Sequence, residues 1–106
     1  MEDNGVQVNP TPITAGERIT INYQGLLAQS GADQVYLHAG VGMGDNWQDV
    51  TNIQMKQEQN GDWVAQLRIN SAERFNFCFK DSAENWDNNS GNNWSYEVHN
   101  GDLYTQ

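Results

Sequence analysis

Two tryptophans lie in loops made largely of glycine, asparagine and aspartate, where a large apolar ring is hard to bury. Trp47 lies in GVGMGDNWQD, and Trp86 lies in DSAENWDNNSG. Loops run mostly over the surface because their backbone polar groups need water. A flat indole stacks on an apolar face of matching size, and asparagine amides both donate and accept hydrogen bonds. This combination suits a pyranose ring, which has C–H patches on its faces and hydroxyl groups around its edge.

The rest of the chain, which must position these rings, alternates with a period of two residues. Apolar residues occupy every second position in ERITINY, QVYLHAG, DWVAQLRI, RFNFCFK and WSYEV, and more weakly in NIQMKQ. Such alternation marks strands with one face on a core. Turn residues separate these stretches, and no helix of useful length is predicted. Six or seven short strands in about 100 residues favour an all-β fold, a two-sheet antiparallel β-sandwich of immunoglobulin-like architecture.

The alternation separates the four tryptophans into two pairs. Trp63 begins the pattern continued by Ala65 and Leu67, and Trp94 begins the pattern continued by Tyr96 and Val98. We therefore expect Trp63 and Trp94 in the core. Trp47 and Trp86 belong to no such pattern. A single loop tryptophan is more often a lid on the core, but two in separate polar loops favour display, above all for Trp86.

Two polar side chains fall on the reverse faces of predicted strands. His38 lies with Tyr36 opposite the inward residues of QVYLHAG, and Lys80 lies opposite the phenylalanines of RFNFCFK. Both can therefore reach a surface groove. Cys78, the only cysteine, is expected to be a small buried or half-buried strand residue, because one thiol forms neither an internal disulfide nor a zinc cage.

The length and charge limit the classes of protein that the chain can represent. Its 106 residues predict one domain, 1–106, with a core from about residue 13 to 99 and a lead-in or edge strand before it. The first ten residues are acidic and polar, so no signal peptide is expected. With 14 acidic and 5 basic residues, the formal net charge is −9. This excess of negative charge argues against nucleic acid and anionic membranes as partners, because both need a basic face.

Three motifs in order resemble the starch-binding modules of carbohydrate-binding module family 25. They are VYLHAGVG followed by NW, then FNFCFKD, then WDNNSGNNWSYEV. The family 53 modules of plant starch synthases share the pattern more loosely. The resemblance covers about residues 19–98, although Ala39 stands where members commonly have an aromatic residue and the loop of residues 41–45 has an extra residue.

The resemblance implies a β-sandwich that binds α-1,4-linked glucans through two tryptophans and a histidine. On the matching positions these residues are Trp47, Trp86 and His38. Lys80, Asn88 and Asn89 match positions that supply hydrogen bonds, and neither a metal nor a cofactor is implied.

Two rival motifs fail on their spacing or setting. Residues 87–91 hint at a calcium loop, but the glycine comes one place early and Val98 stands where a bidentate glutamate belongs. Glu84 and Asp87 lie near Trp86, but a glycosidase needs a cleft that distorts a sugar ring. Two functions remain open. One is a non-catalytic module that binds α-glucan and acts with a covalently linked or separate catalytic domain. The other is a protein–protein interaction domain with tryptophan hot spots.

Overall fold

Short strands make up about half of residues 2–100, the part of the protein that a computed structural model describes. One helical turn, α1 (Leu26–Gln29), interrupts them, and no helix in the described part of the chain is long and apolar enough to cross a membrane. The predicted all-β class is confirmed. The strands are β1 (Glu2–Asp3), β2 (Val6–Asn9), β3 (Ile13–Thr14), β4 (Arg18–Tyr23), β5 (Val35–Val41), β6 (Gln48–Gln54), β7 (Lys56–Gln57), β8 (Trp63–Arg68), β9 (Phe75–Asp81), β10 (Trp86–Asp87), β11 (Trp94–Tyr96) and β12 (Val98–His99).

Two antiparallel sheets contain most of these strands, as predicted. The first sheet has the order β1-β2-β4-β8-β7. The second has the order β10-β9-β5-β6, and β11 also pairs with β9. A separate pair, β3 with β12, is parallel and joins Ile13 to Val98. The sequence did not predict this pair, because alternation shows which face a residue occupies but not the direction of its neighbour.

The weak candidate NIQMKQ proves to be a crossing between the two sheets. Its first part belongs to β6 of the second sheet, and its last part belongs to β7 of the first sheet. Met55 lies between them and is buried. The period-two pattern is weak here because the chain leaves β6 after Gln54 and enters the other sheet at Lys56, so no single face continues through the segment.

The core consists of the inward residues of both sheets. The Phe79 ring stacks on Tyr23 of the first sheet at 3.9 Å, and the Phe77 ring stacks on Trp94 at 6.0 Å. Trp63 is 3 % exposed and Trp94 1 %, so the prediction that both are core residues is confirmed. The core also reaches residues before position 13, because Val6 and Val8 of β2 are buried in it.

Candidate functional site

The side of the second sheet that faces away from the core carries a group of aromatic and polar side chains, and we call this side the outer face. In the strand register, Tyr36 of β5 lies beside Lys80 of β9, and Lys80 lies beside Trp86 of β10. Paired residues in an antiparallel sheet point to the same side. His38 lies two positions along β5 from Tyr36, so it shares the face.

Trp86 is the most exposed tryptophan and lies next to His38. Its ring is 46 % exposed, and its centroid lies 5.1 Å from that of His38 at an interplanar angle of 87°. The Lys80 ammonium lies 5.5 Å from the Trp86 centroid, which is cation–π distance. Trp86 therefore packs against His38 and Lys80 on the outer face.

Trp47 reaches the same histidine from the loop between β5 and β6. Its ring centroid lies 6.0 Å from that of His38, and its indole N–H donates to the Gly44 carbonyl at 2.9 Å. Gly40 permits this arrangement, because a Cβ at that position would lie 3.0 Å from the Cβ of Trp47. Because the indole N–H already donates within the loop, the faces of the Trp47 ring are the part that a ligand can contact.

His38 has one ring nitrogen fixed by a neighbour. Its Nδ1–H donates to the Asn52 Oδ1 on β6 at 2.7 Å. In the neutral ring this leaves Nε2 as a hydrogen-bond acceptor. The sequence analysis missed Asn52, although it lies directly opposite His38 in the strand register. In the sequence, Asn52 precedes Ile53 in NIQMKQ, but the alternation in this stretch is too weak to predict which residues of β5 and β6 lie opposite each other.

The hairpin before Trp86 is built around the Asp81 carboxylate. It accepts hydrogen bonds from the backbone N–H groups of Ala83 at 3.0 Å and Asn85 at 2.8 Å, and from the Asn85 amide at 3.1 Å. The hydrogen bonds from Asn85 lower the pKa of this carboxyl. Asp81 therefore shapes the turn that leads into β10, whose first residue is Trp86.

Asp87 anchors the same short strand from the opposite side. It is buried, and its Oδ2 accepts a hydrogen bond from the Tyr23 hydroxyl at 2.6 Å and from the Leu26 N–H at 3.3 Å. Burial, together with the hydrogen bond to Asp87, raises the pKa of Tyr23 far above its usual range. Since neighbouring strand residues point to opposite sides, anchoring Asp87 inward turns Trp86 outward.

The asparagine-rich loop after Asp87 uses much of its polar capacity to hold its own shape. The Asn88 Oδ1 accepts from the Gly91 N–H at 2.9 Å, and the Asn89 amide donates to the Asn93 carbonyl at 3.0 Å. Asn89 and Asn93 have φ angles of 58° and 56°, a conformation that asparagine tolerates better than most residues. Part of the asparagine content is therefore structural.

Asn88 and Asn89, which the resemblance predicts as hydrogen-bonding residues, do not lie on the face that Trp47 and Trp86 share. Asn88 and Asn89 line a groove with Asn4, Gln29 and the far side of Trp86. In contrast, the sequence analysis did not single out Asn92 and Asn93, which line a smaller recess beside Trp47. The structure thus brings His38, Lys80, Trp47 and Trp86 together and places the predicted asparagines next to only one of the tryptophans.

Three observations concern the metal ligands and nucleophiles that the chain could offer. Within residues 2–100, no three histidine, cysteine or acidic side chains form a group that could hold a metal ion. The Asp87 carboxylate accepts a hydrogen bond from the Tyr23 hydroxyl. Cys78 is buried, as predicted, and burial raises its pKa to about 11, so its thiol is protonated near neutral pH.

The sequence also matches a known protein family. Residues 19–77, more than half of the chain, match the starch/carbohydrate-binding module of family 53. The chain belongs to this family. It is a carbohydrate-binding module, and this class of domain binds without catalysing a reaction. No curated protein matches the module in sequence.

A solved structure shares the fold of the module. It is the iodinated family 25 module of a Bacillus halodurans amylase, with a TM-score of 0.57 and 19 % sequence identity. The similarity covers 80 % of this chain and 87 % of that chain. The β-sandwich is therefore shared with family 25, the family that the sequence motifs resemble, while the sequence match is to the related family 53.

Proposed function

We propose that the module binds α-1,4-linked glucans on its outer face, with Trp47 and Trp86 stacking on sugar rings. The observation that carries this proposal is the position of His38, which lies within 6.0 Å of two indole rings supplied by two separate loops. An apolar ring on each side of a polar group matches a sugar chain, whose ring faces are apolar and whose edges carry hydroxyl groups.

The relative orientation of the rings favours a curved chain over a flat one. Trp47 is inclined by 33° to His38, whereas Trp86 is inclined by 87°. The two indole planes are therefore steeply inclined to each other. Successive rings of an α-1,4-glucan tilt as the chain curves, while those of cellulose lie flat. Two inclined platforms fit the first chain and cannot both stack on the second.

We expect His38 and Lys80 to form hydrogen bonds with sugar hydroxyls beside the stacked rings. The His38 Nε2 accepts a hydrogen bond in the tautomer that Asn52 fixes, and the Lys80 ammonium donates. Stacking worth about 0.5–1.5 kcal/mol per ring, together with a few hydrogen bonds, must offset the cost of association. We expect a dissociation constant on the order of micromolar to sub-millimolar for a short maltooligosaccharide.

The biological role that we propose is to hold a starch- or glycogen-active enzyme on its polymer. The catalytic domain is either covalently linked to the module or a separate partner. The family 25 structure that shares this fold comes from an amylase, which supports an amylase-type partner. Holding an enzyme on an insoluble chain raises the local substrate concentration without any new catalytic group.

Titration calorimetry with maltoheptaose and cellohexaose tests the proposed ligand. We expect binding of the first and none of the second, with little change between low and high salt because the ligand is neutral. Electrophoresis in a glycogen-containing native gel provides a second measurement, in which migration is retarded. Absence of both heat and retardation up to several millimolar sugar contradicts the proposal and favours the protein–protein interaction domain.

A further inference from the structure

A groove on the far side of Trp86 has no role in the site described so far. It has a volume of about 580 Å³ and lies between the turn after β1, helix α1 and the asparagine-rich loop. Its lining includes Asn4, Leu26, Gln29, Trp86, Asn88 and Asn89. Trp86 therefore forms one wall of the groove and also contacts His38 on the outer face. Trp86 is thus the residue that the groove and the proposed glucan site share.

The lining suits a neutral ligand rich in hydroxyl groups. No lysine, arginine or histidine is among the described residues that line it, which argues against phosphate or another anion. Its one carboxylate, Asp87, is bonded to Tyr23 and to the Leu26 N–H. What remains is a set of amides, the Ser90 hydroxyl and the Leu26 side chain, which is 61 % exposed.

Some of these amides retain unused hydrogen-bonding atoms. The Gln29 amide donates to the Gln24 carbonyl at 3.2 Å, and its oxygen has no partner among the described residues. The Asn88 oxygen accepts from Gly91, while its Nδ2 is likewise without a partner within residues 2–100. Two residues that line the groove therefore retain a free acceptor and a free donor, and an exposed leucine lines it with them. This arrangement pairs an apolar patch with hydrogen bonds to hydroxyl groups.

We propose that this groove, which we call the distal groove, is a second glucan subsite that binds the sugar units beyond those stacked on Trp86. The proposal rests on the proposed function, because it takes the same ligand past the same tryptophan. A short oligosaccharide fills only the outer face, whereas a longer one crosses the edge of Trp86 and reaches Leu26, Gln29 and Asn88. Affinity should therefore keep rising with chain length.

The test compares maltotriose with maltoheptaose on the intact chain and on the double variant Leu26→Ala/Gln29→Ala. Both side chains are exposed, so the variant should fold, and Asn88 and Asn89 are left unchanged because they hold the loop. We expect the variant to bind maltoheptaose about 3–10-fold more weakly, the loss of one or two modest contacts, and to bind maltotriose as the original chain does. Gln59→Ala, in an exposed turn elsewhere, is the matched control and should change neither affinity.

Each outcome has a distinct meaning. The distal groove is not a separate subsite if the variant binds maltoheptaose as tightly as the original chain does. The same follows if the variant binds both sugars more weakly by the same factor. If the original chain binds both sugars with equal affinity, the distal groove proposal fails and the proposed function stands. If the original chain binds neither sugar, both proposals fail. Backbone amide shifts of Gln29 and Ser90 that move with maltoheptaose and not with maltotriose would support the proposal independently.

Discussion

The two faces of the second sheet are built from alternate residues of the same strands and yet have opposite chemistry. On the inner face, Phe75, Phe77 and Phe79 are at most 4 % exposed and contact one another and Trp94. On the outer face, His38 and Trp86 contact each other and remain accessible. The inner rings use their surfaces in packing, whereas the outer rings keep a face for a ligand.

Burial alone does not distinguish these faces. Asn76 and Cys78 also point to the outer side, and they are only 4 % and 5 % exposed. Asn76 is satisfied there, since its amide donates to the Gly42 carbonyl at 2.9 Å and its oxygen accepts from the Ser95 hydroxyl at 2.7 Å. The comparison teaches that loops folding back over a sheet can bury its outer face locally, so that only a few side chains remain available for recognition.

The largest expected effect separates the inner and outer tryptophans. Trp94→Ala removes a ring that stacks on Phe77 and is 1 % exposed, so we expect a loss of about 3–5 kcal/mol in the free energy of unfolding. Trp86→Ala should change this free energy by about 0.5–1 kcal/mol at most and abolish retardation by glycogen. Chemical denaturation and the glycogen gel measure the two effects.

Trp63→Ala, on the core side of the first sheet, and Trp47→Ala, beside the outer face, are the matched variants. Trp63→Ala should behave like Trp94→Ala, and Trp47→Ala like Trp86→Ala. The comparison of faces is wrong if the effects are exchanged, so that Trp86→Ala unfolds the module while Trp94→Ala only weakens binding. It is also wrong if both loop variants keep full affinity for glycogen.

A smaller loss of stability is expected at Tyr23, which connects the core to the outer face through Asp87. Within residues 2–100, the Tyr23 hydroxyl is the only side-chain donor to this buried carboxylate, so Tyr23→Phe should cost about 1.5–3 kcal/mol. It should also loosen Trp86 and weaken glucan binding. Urea denaturation and maltoheptaose titration measure these effects. For the denaturation, Tyr36→Phe is the control for the loss of a tyrosine hydroxyl, because its side chain is only half-buried.

The Tyr23 contribution should depend on pH in one direction. The folded-state pKa of Tyr23 is raised above the usual value of about 10, because burial and Asp87 oppose ionisation. The stabilisation is therefore fully present below pH 10 and is lost as the pH rises further, when the unfolded chain ionises and the folded chain does not. The difference in unfolding free energy between the original chain and Tyr23→Phe should shrink above pH 10. A difference that grows there would refute this assignment.

The smallest expected effect concerns how Trp47 is seated on the outer face. A Cβ in Gly40→Ala would lie 3.0 Å from the Trp47 Cβ and 3.1 Å from the Gln48 carbonyl oxygen, so Trp47 must shift by a few tenths of an ångström. We expect maltoheptaose affinity to fall by up to about tenfold, the value of one misplaced stacking contact. Thr51→Ala, an exposed change on neighbouring β6, should have no effect. Unchanged affinity in Gly40→Ala would show that Trp47 is not held by this contact.

The sequence predicted the strands best where one face continues through a whole strand. RFNFCFK and ERITINY became β9 and β4, with the expected residues inward. It predicted less where a segment is short or changes direction. Two-residue β10 is too short to show a period, so the pattern could not reveal that Asp87 points inward and Trp86 outward. The parallel pair of β3 with β12 depends on residues about 85 positions apart, which no local pattern reports.

The sequence by itself determined the all-β class, the identity of the two core tryptophans and the residues His38, Lys80, Trp47 and Trp86 as candidates. It could do so because alternation and loop composition are local properties of the chain. Only the tertiary structure decided that these four side chains meet, that Asn52 fixes the histidine, and that Asn88 and Asn89 lie in the distal groove. Those facts depend on strand register and on loops that fold back over a sheet, and both are set by packing between distant parts of the chain.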